Sequence, residues 1–186
     1  MEQLDKFFIE KNSVVLVIVD IQEKLASIMT ERKKVTDNCL HMIESAKLLK
    51  IPVILNEQYP KGLGPTVNEI KEALQPYAPL EKVTFSCCRG GPFHDILTST
   101  GRKKVILVGM ETHVCVLQTC LDLLMEGYTV HVVADAVCSR TEENYRIAIE
   151  FMRDAGAVIT CTETVLLQLL EKAGTEEFKS ISKRIK

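Results

Sequence analysis

Val14-Val-Leu-Val-Ile-Val19 is an unbroken apolar run, followed at once by Asp20. A run with no polar side has no face to offer water. It therefore reads as a strand covered on both faces, the situation of an interior strand in a parallel sheet. Farther along, Val35 to Lys50 has the spacing of an amphipathic helix, and Pro52 to Leu55 is a second short strand. Residues 56–65, NEQYPKGLGP, read as a Gly/Pro-rich loop, with Thr66 as a cap for the helix after it. Glu81 to Ser86 is a third extended segment. Arg89-Gly-Gly-Pro92 breaks the chain before a short helix over Phe93 to Ser99.

Lys104 to Val108 is a fourth strand, with a helix from Thr112 to Met125 behind it. Thr129 to Val133 is a fifth strand, and Thr141-Glu-Glu opens a helix that runs to about Asp154. Ala157 to Thr160 is a sixth strand, and Thr162 to Leu170 opens a last helical region. Strand–helix alternation of this kind implies right-handed crossovers. The predicted architecture is a doubly wound, mainly parallel six-stranded α/β sheet with helices on both faces, a Rossmann-like three-layer sandwich. No linker or repeat divides the 186 residues, so residues 1–186 read as one domain.

Composition excludes several classes. With 23 basic and 25 acidic residues the formal charge is −2, which lacks the basic footprint that nucleic-acid binding needs. No apolar run approaches the ~20 residues that span a bilayer. The start carries Glu2, Asp5 and Glu10 without the apolar core of a signal peptide, and the first arginine is Arg32. Seven cysteines without a CxxC read as reduced thiols, most of them core residues, and a cytoplasmic address is expected. His41, His94, His113 and His131 never pair at metal-ligand spacing.

In open α/β sheets, ligands bind beyond the carboxyl ends of the strands, where strand order reverses. Strand one ends in Asp20, a carboxylate set against apolar surroundings. Strand four leads through Gly109 into Met110-Glu-Thr-His-Val-Cys115. With Thr112 as cap, Cys115 falls in the first helical turn, where the dipole and free N–H groups favour a thiolate. If strands one and four are neighbours, the acid and the thiol face each other. Lys82, near the third strand, supplies a cation for both. The bland alternatives are a capping acid, a solvated lysine and a core thiol.

These residues carry a resemblance. VDIQEKL (Val19 to Leu25), the lysine before TFS (Lys82 to Ser86), GMETHVCV (Gly109 to Val116) and VHVVADAVCSRTEENY (Val130 to Tyr145) resemble the isochorismatase-like cysteine hydrolase superfamily. The loop EQYPKGLGPT, Glu57 to Thr66, is similar to that of its branch called isochorismatase domain-containing proteins. The resemblance covers about residues 12–172. It implies a catalytic triad of Asp20, Lys82 and Cys115. It also implies a cis peptide at Met110–Glu111 that turns the Glu111 N–H toward the Cys115 N–H as an oxyanion hole.

Departures from the superfamily narrow the expectation. Its nicotinamidases carry an Asp-x-His-x-x-His metal site after the second strand. Here the matching stretch, Asn56-Glu-Gln-Tyr-Pro60, has no histidine, so neither catalytic metal nor other cofactor is expected. Its true isochorismatases cleave a vinyl ether without a cysteine nucleophile, so Cys115 favours amide or related carbonyl chemistry on a small molecule. Gln22, Tyr59 and Phe85 are weaker candidates for the pocket wall, the two aromatics reading equally well as packing residues. Gly62-Leu-Gly64 reads as a turn and Cys120 as core. His113 adjoins the nucleophile from the cap region. Lys179 to Lys186 reads as a solvated helical tail. The resemblance also implies a homo-oligomer. Rival readings in other classes are a non-catalytic oligomeric scaffold and a redox-sensing thiol protein.

Overall fold

The computed structural model describes residues 2–185; Lys186, the end of the basic tail, lies outside them. The elements in chain order are α1 Glu2–Asp5, β1 Val14–Val19, α2 Glu23–Ala26, α3 Arg32–Leu49, β2 Val53–Gln58, α4 Pro60–Leu63 and α5 Asn68–Ala73. After these come β3 Leu80–Lys82, α6 Phe93–Ser99, β4 Lys104–Met110, α7 Leu117–Met125 and β5 Thr129–Cys138. α8 Glu142–Asp154, β6 Val158–Thr160, α9 Thr162–Leu170 and α10 Glu176–Ser182 complete the chain. A 3₁₀ turn at Cys87–Arg89 precedes α6, and a π-turn at Thr112–Val116 precedes α7.

The six strands form one sheet in the order β3-β2-β1-β4-β5-β6, and every pairing is parallel. The chain winds outward from β1 to β3, then crosses back to β4 beside β1. Strand order therefore reverses between β1 and β4, where Val19 stands opposite Gly109. All six β1 side chains are buried, and they alternate between two cores. Val14, Leu16 and Ile18 pack with α3 and α9, whereas Val15, Val17 and Val19 pack with α6, α7 and α8. This double cover is why the strand shows no polar alternation.

Several boundaries differ from the sequence expectation: the third strand is Leu80–Lys82 and does not extend to Ser86, and β4 runs past Val108 to Met110. β2 does not stop at Leu55 but continues through Asn56, Glu57 and Gln58. Thr66 does not cap α5; Val67 stands at that position, and the Thr66 hydroxyl donates to Glu57 Oε1 at 2.7 Å instead. β5 runs past Val133 to Cys138, with a register shift between Leu107 and Gly109 that lets Met110 stand opposite Cys138. The basic end is also more than a solvated tail. α10 buries Ile181 in the core shared with α3, a contribution of roughly 1.5–3 kcal/mol. The Thr141 cap is present as read, its hydroxyl accepting from the Asn144 N–H.

One contact fixes the switch point. Gly109 has φ +127°, and a Cβ there would sit 2.0 Å from the Val19 carbonyl oxygen. A side chain would push β4 off β1, so Gly109→Ala should cost more than about 4 kcal/mol in urea unfolding. At Gly101, with φ +67°, an added methyl would meet nothing within 4 Å. Gly101→Ala should cost only about 1–2 kcal/mol. Equal losses for the two variants would show that β1 and β4 tolerate separation.

Candidate active site

Asp20 leaves β1 in the left-handed region at φ 53°, a conformation that aspartate tolerates better than most residues. Its N–H donates to the Asn56 carbonyl at 3.2 Å, and its own carbonyl accepts from the Gln22 N–H at 2.9 Å. The carboxylate is thereby set at the switch point, fully buried. Lys82 is the last residue of β3, and register places it opposite Gln58 of β2. Its ammonium reaches across the end of β2 and donates to Asp20 Oδ2 at 2.7 Å. It also donates to Gln58 Oε1 at 2.8 Å, the Phe85 carbonyl at 3.0 Å and the Thr84 carbonyl at 3.3 Å.

The other oxygen, Asp20 Oδ1, is buried and meets no N–H or O–H donor among the described residues. Besides Lys82, the groups that act on this carboxylate are the Cys115 thiol, a weak S–H donor, and the Gln58 backbone. Cys115 sits on the π-turn, not in the first turn of a regular helix capped by Thr112, and it is 5% exposed. Burial pushes its thiol up and the Asp20 charge adds to this, while Lys82 opposes both. Burial thus opposes the thiolate that a helix terminus would favour. Burial likewise pushes the Asp20 carboxyl up, against the pull of Lys82. Burial alone would lower Lys82, but the Asp20 carboxylate and the nearby thiols hold its ammonium above the usual lysine range.

The remaining candidates occupy different places. Gln22 is no wall. Its amide donates to the Gln58 carbonyl at 3.0 Å and the Gly64 carbonyl at 2.7 Å, and it accepts from the Gln58 N–H at 2.7 Å, so both ends are committed to backbone. Tyr59 (53% exposed) lines a cleft of about 360 Å³ that reaches Lys82, together with Pro60, Lys61, Val83 and Gly91. Phe85 is 55% exposed, and its carbonyl holds Lys82. The Met110–Glu111 peptide is cis. The Glu111 carboxylate leads away to Arg140, accepting from its backbone N–H at 3.0 Å and its Nε at 3.1 Å. His113 bonds Ser139 Oγ at 2.9 Å.

Gln58 and Arg140 are the residues that sequence reasoning misses. Gln58 lies inside what reads as a loop; the one available signal is that its extended neighbours would bring it level with Lys82. Among the described residues, no three His, Cys, Asp or Glu side chains are grouped so as to hold a metal ion. Nor is any helix long and apolar enough to cross a membrane. All seven cysteines are free.

A family model described as Isochorismatase domain matches residues 14–164. A relative from Phytophthora sojae named secreted isochorismatase effector Isc1 is 45% identical over 180 residues, covering 94% of this chain and 85% of its own length. Isochorismatase domain-containing protein 2 of Xenopus laevis is 39% identical over 176 residues, covering 94% and 84%. Among solved structures, one named MAR1 ribonuclease from Caenorhabditis elegans superimposes with TM-score 0.89 at 41% identity, covering 96% of this chain and 92% of that one. The YcaC gene product of Escherichia coli, described as an octameric hydrolase of unknown specificity, gives TM-score 0.88 at 28% identity, covering 95% and 90%.

The buried thiols give the protein a pH signature. Burial pushes Cys87, Cys120 and Cys138 up to about 12, against 9.0 for a free thiol. Between those values the unfolded chain has lost protons that the folded one keeps, so stability falls as pH rises. Each such thiol adds a slope of up to about 1.4 kcal/mol per pH unit. Urea unfolding followed across the alkaline range should show this decline, and Cys120→Ala should make it shallower. A flat profile would mean that these thiols are solvated in the folded state.

Proposed function

The chain belongs to the isochorismatase family, and from that premise we propose that it is a metal-independent cysteine hydrolase acting on a small amide or related carbonyl compound. The observation that carries the reading is the meeting of Asp20, Lys82 and Cys115 at the β1–β4 switch point, with the ion pair at 2.7 Å. Asp20, as carboxylate, takes the proton from Cys115 as sulfur attacks the carbonyl carbon. The upward push of burial on the thiol suits this coupling, since Asp20 then takes the proton as the new bond forms. The oxyanion of the tetrahedral intermediate rests on the Glu111 and Cys115 N–H groups. Collapse of the intermediate expels the amine, protonated by Asp20, and leaves a thioester. Water activated by Asp20 then hydrolyses the thioester. Lys82 holds Asp20 in place and keeps the pair's charge balanced throughout. Tyr59 and Phe85 flank the approach to the site and contact the substrate.

Two further elements belong to this reading. The protein works as a homo-oligomer, as the octameric E. coli relative does, and the exposed Ile147 and Phe151 on α8 supply apolar surface for such contacts. Its address is cytoplasmic, on the ground of seven free thiols, although the Phytophthora relative is named as secreted.

A second reading, hydrolysis of the vinyl ether of isochorismate, is favoured by the name of that relative and by the upward push on Asp20. A protonated carboxyl is the acid that such a cleavage needs. Variants separate the two. On a panel of small amides with ammonia detection, Cys115→Ala should abolish turnover and Asp20→Asn should lower it by roughly 10²–10⁴-fold. Iodoacetamide should label Cys115 ahead of Cys87 and Cys88, and Lys82→Ala should slow that labelling. Isochorismate turnover that survives Cys115→Ala would replace the amide reading with the vinyl-ether one. Turnover of an RNA substrate that needs neither Asp20 nor Cys115 would defeat both.

A further inference from the structure

A buried ammonium must place each of its protons, and where they go sets its direction. Around Lys82 Nζ stand one charged acceptor, Asp20 Oδ2, and three neutral ones, of which Gln58 Oε1 at 2.8 Å is the shortest. The Gln58 amide cannot turn freely. Its Nε2 donates to the Val83 carbonyl at 2.9 Å, so Oε1 is the end left to Lys82. The backbone of Gln58 is fixed as well, because the buried Gln22 side chain grips both its N–H (2.7 Å) and its carbonyl (3.0 Å). Gln22 in turn donates its own N–H to the Asp20 carbonyl at 2.9 Å. A closed ring results: Asp20 backbone to Gln22, Gln22 to Gln58, Gln58 to Lys82, and Lys82 back to the Asp20 carboxylate.

We infer that Gln58 is a positioning residue that aims the Lys82 ammonium at Asp20 and keeps the site at one cation and one anion; this rests on the cysteine-hydrolase reading above. Neutrality is what the amide contributes. A carboxylate at position 58 would share Lys82 with Asp20, and the sulfur would then acquire negative charge beside two anions. An apolar side chain would remove the shortest neutral acceptor and leave the ammonium drawn toward the Phe85 and Thr84 carbonyls, away from Asp20. Gln22, one strand away, holds Gln58 in register so that neither happens.

The test is the rate of Cys115 alkylation by iodoacetamide, mapped by peptide mass across the pH range in which the fold persists. The full-length parent is compared with Gln58→Glu and Gln58→Met, and thermal unfolding checks that each variant is folded. Gln58→Glu should move the rise in alkylation rate to higher pH by about one unit or more, as a like charge does to an ionising neighbour. Gln58→Met, close in size but without an acceptor, should slow alkylation roughly ten-fold or more, the size of one lost hydrogen bond to a charged group. A packing role would lower the melting temperature and leave both profiles on the parent's. If folded Gln58→Met alkylates at the parent's rate and pH dependence, the inference is overturned while the hydrolase reading stands. If the parent itself leaves Cys115 unlabelled, the hydrolase reading falls and takes the inference with it.

Discussion

The Asp20–Lys82 ion pair is the interaction on which the rest of the site depends. Both groups are almost completely removed from water, with side-chain exposures of 0% and 2%. Taking two charges into such an interior costs several kcal/mol for each, and their attraction recovers it only with close geometry and satisfied hydrogen bonds. The fold supplies both. Lys82 reaches Asp20 because β3 pairs with β2 and β2 with β1, so two registers fix one distance. Its remaining protons go to Gln58 and to the carbonyls of the segment after β3. A buried pair of this kind does not arise for stability alone, since apolar residues of like volume often do as well. What it supplies is a fixed charge pair beside a thiol.

That thiol comes from the other half of the sheet. β4 can lie against β1 with Gly109 opposite Val19 only because Gly109 has no side chain to strike the Val19 carbonyl. The chain then passes through Glu111, whose carboxylate is tied to Arg140 at the start of the next unit. The π-turn follows and sets Cys115 over Asp20. Two sheet halves that never pair directly at their outer strands thus meet at one point, with the acid and the cation from one half and the sulfur from the other. The switch-point position of ligand sites in doubly wound sheets has this simple cause.

Much of this is legible in the chain. The β1 run reads correctly residue for residue, as do α6 over Phe93–Ser99 and α9 over Thr162–Leu170, because apolar spacing and local breaks decide them. Asp20, Lys82 and Cys115 can be singled out by their places at or beyond strand ends. The illegible parts are those where distant partners override local preference. Asn56, Glu57 and Gln58 look like loop, but each is buried in β2 with its side chain engaged: Asn56 to the Ile18 carbonyl, Glu57 to Thr66 and Tyr77, and Gln58 to Lys82 and Val83. Ala134 and Asp135 break the apolar run of β5, yet pairing beside Met110 carries the strand on. The upward push on the Cys115 thiol is hidden for the same reason. Local spacing reveals only the helix terminus, and the burial that outweighs it comes from elements far away in sequence.

Asp20 and Lys82 stabilise each other inside the protein, and each alone would be a liability. A double-mutant cycle measures this directly, with urea unfolding of the parent, Asp20→Asn, Lys82→Met and the double variant. Each single change should cost about 3–5 kcal/mol, because it strands an unpaired buried charge. The double variant should cost clearly less than their sum, since no charge is left to strand. Costs that add to within about 0.5 kcal/mol would mean that the two groups act independently, which would contradict the claim that the site is built on their pairing.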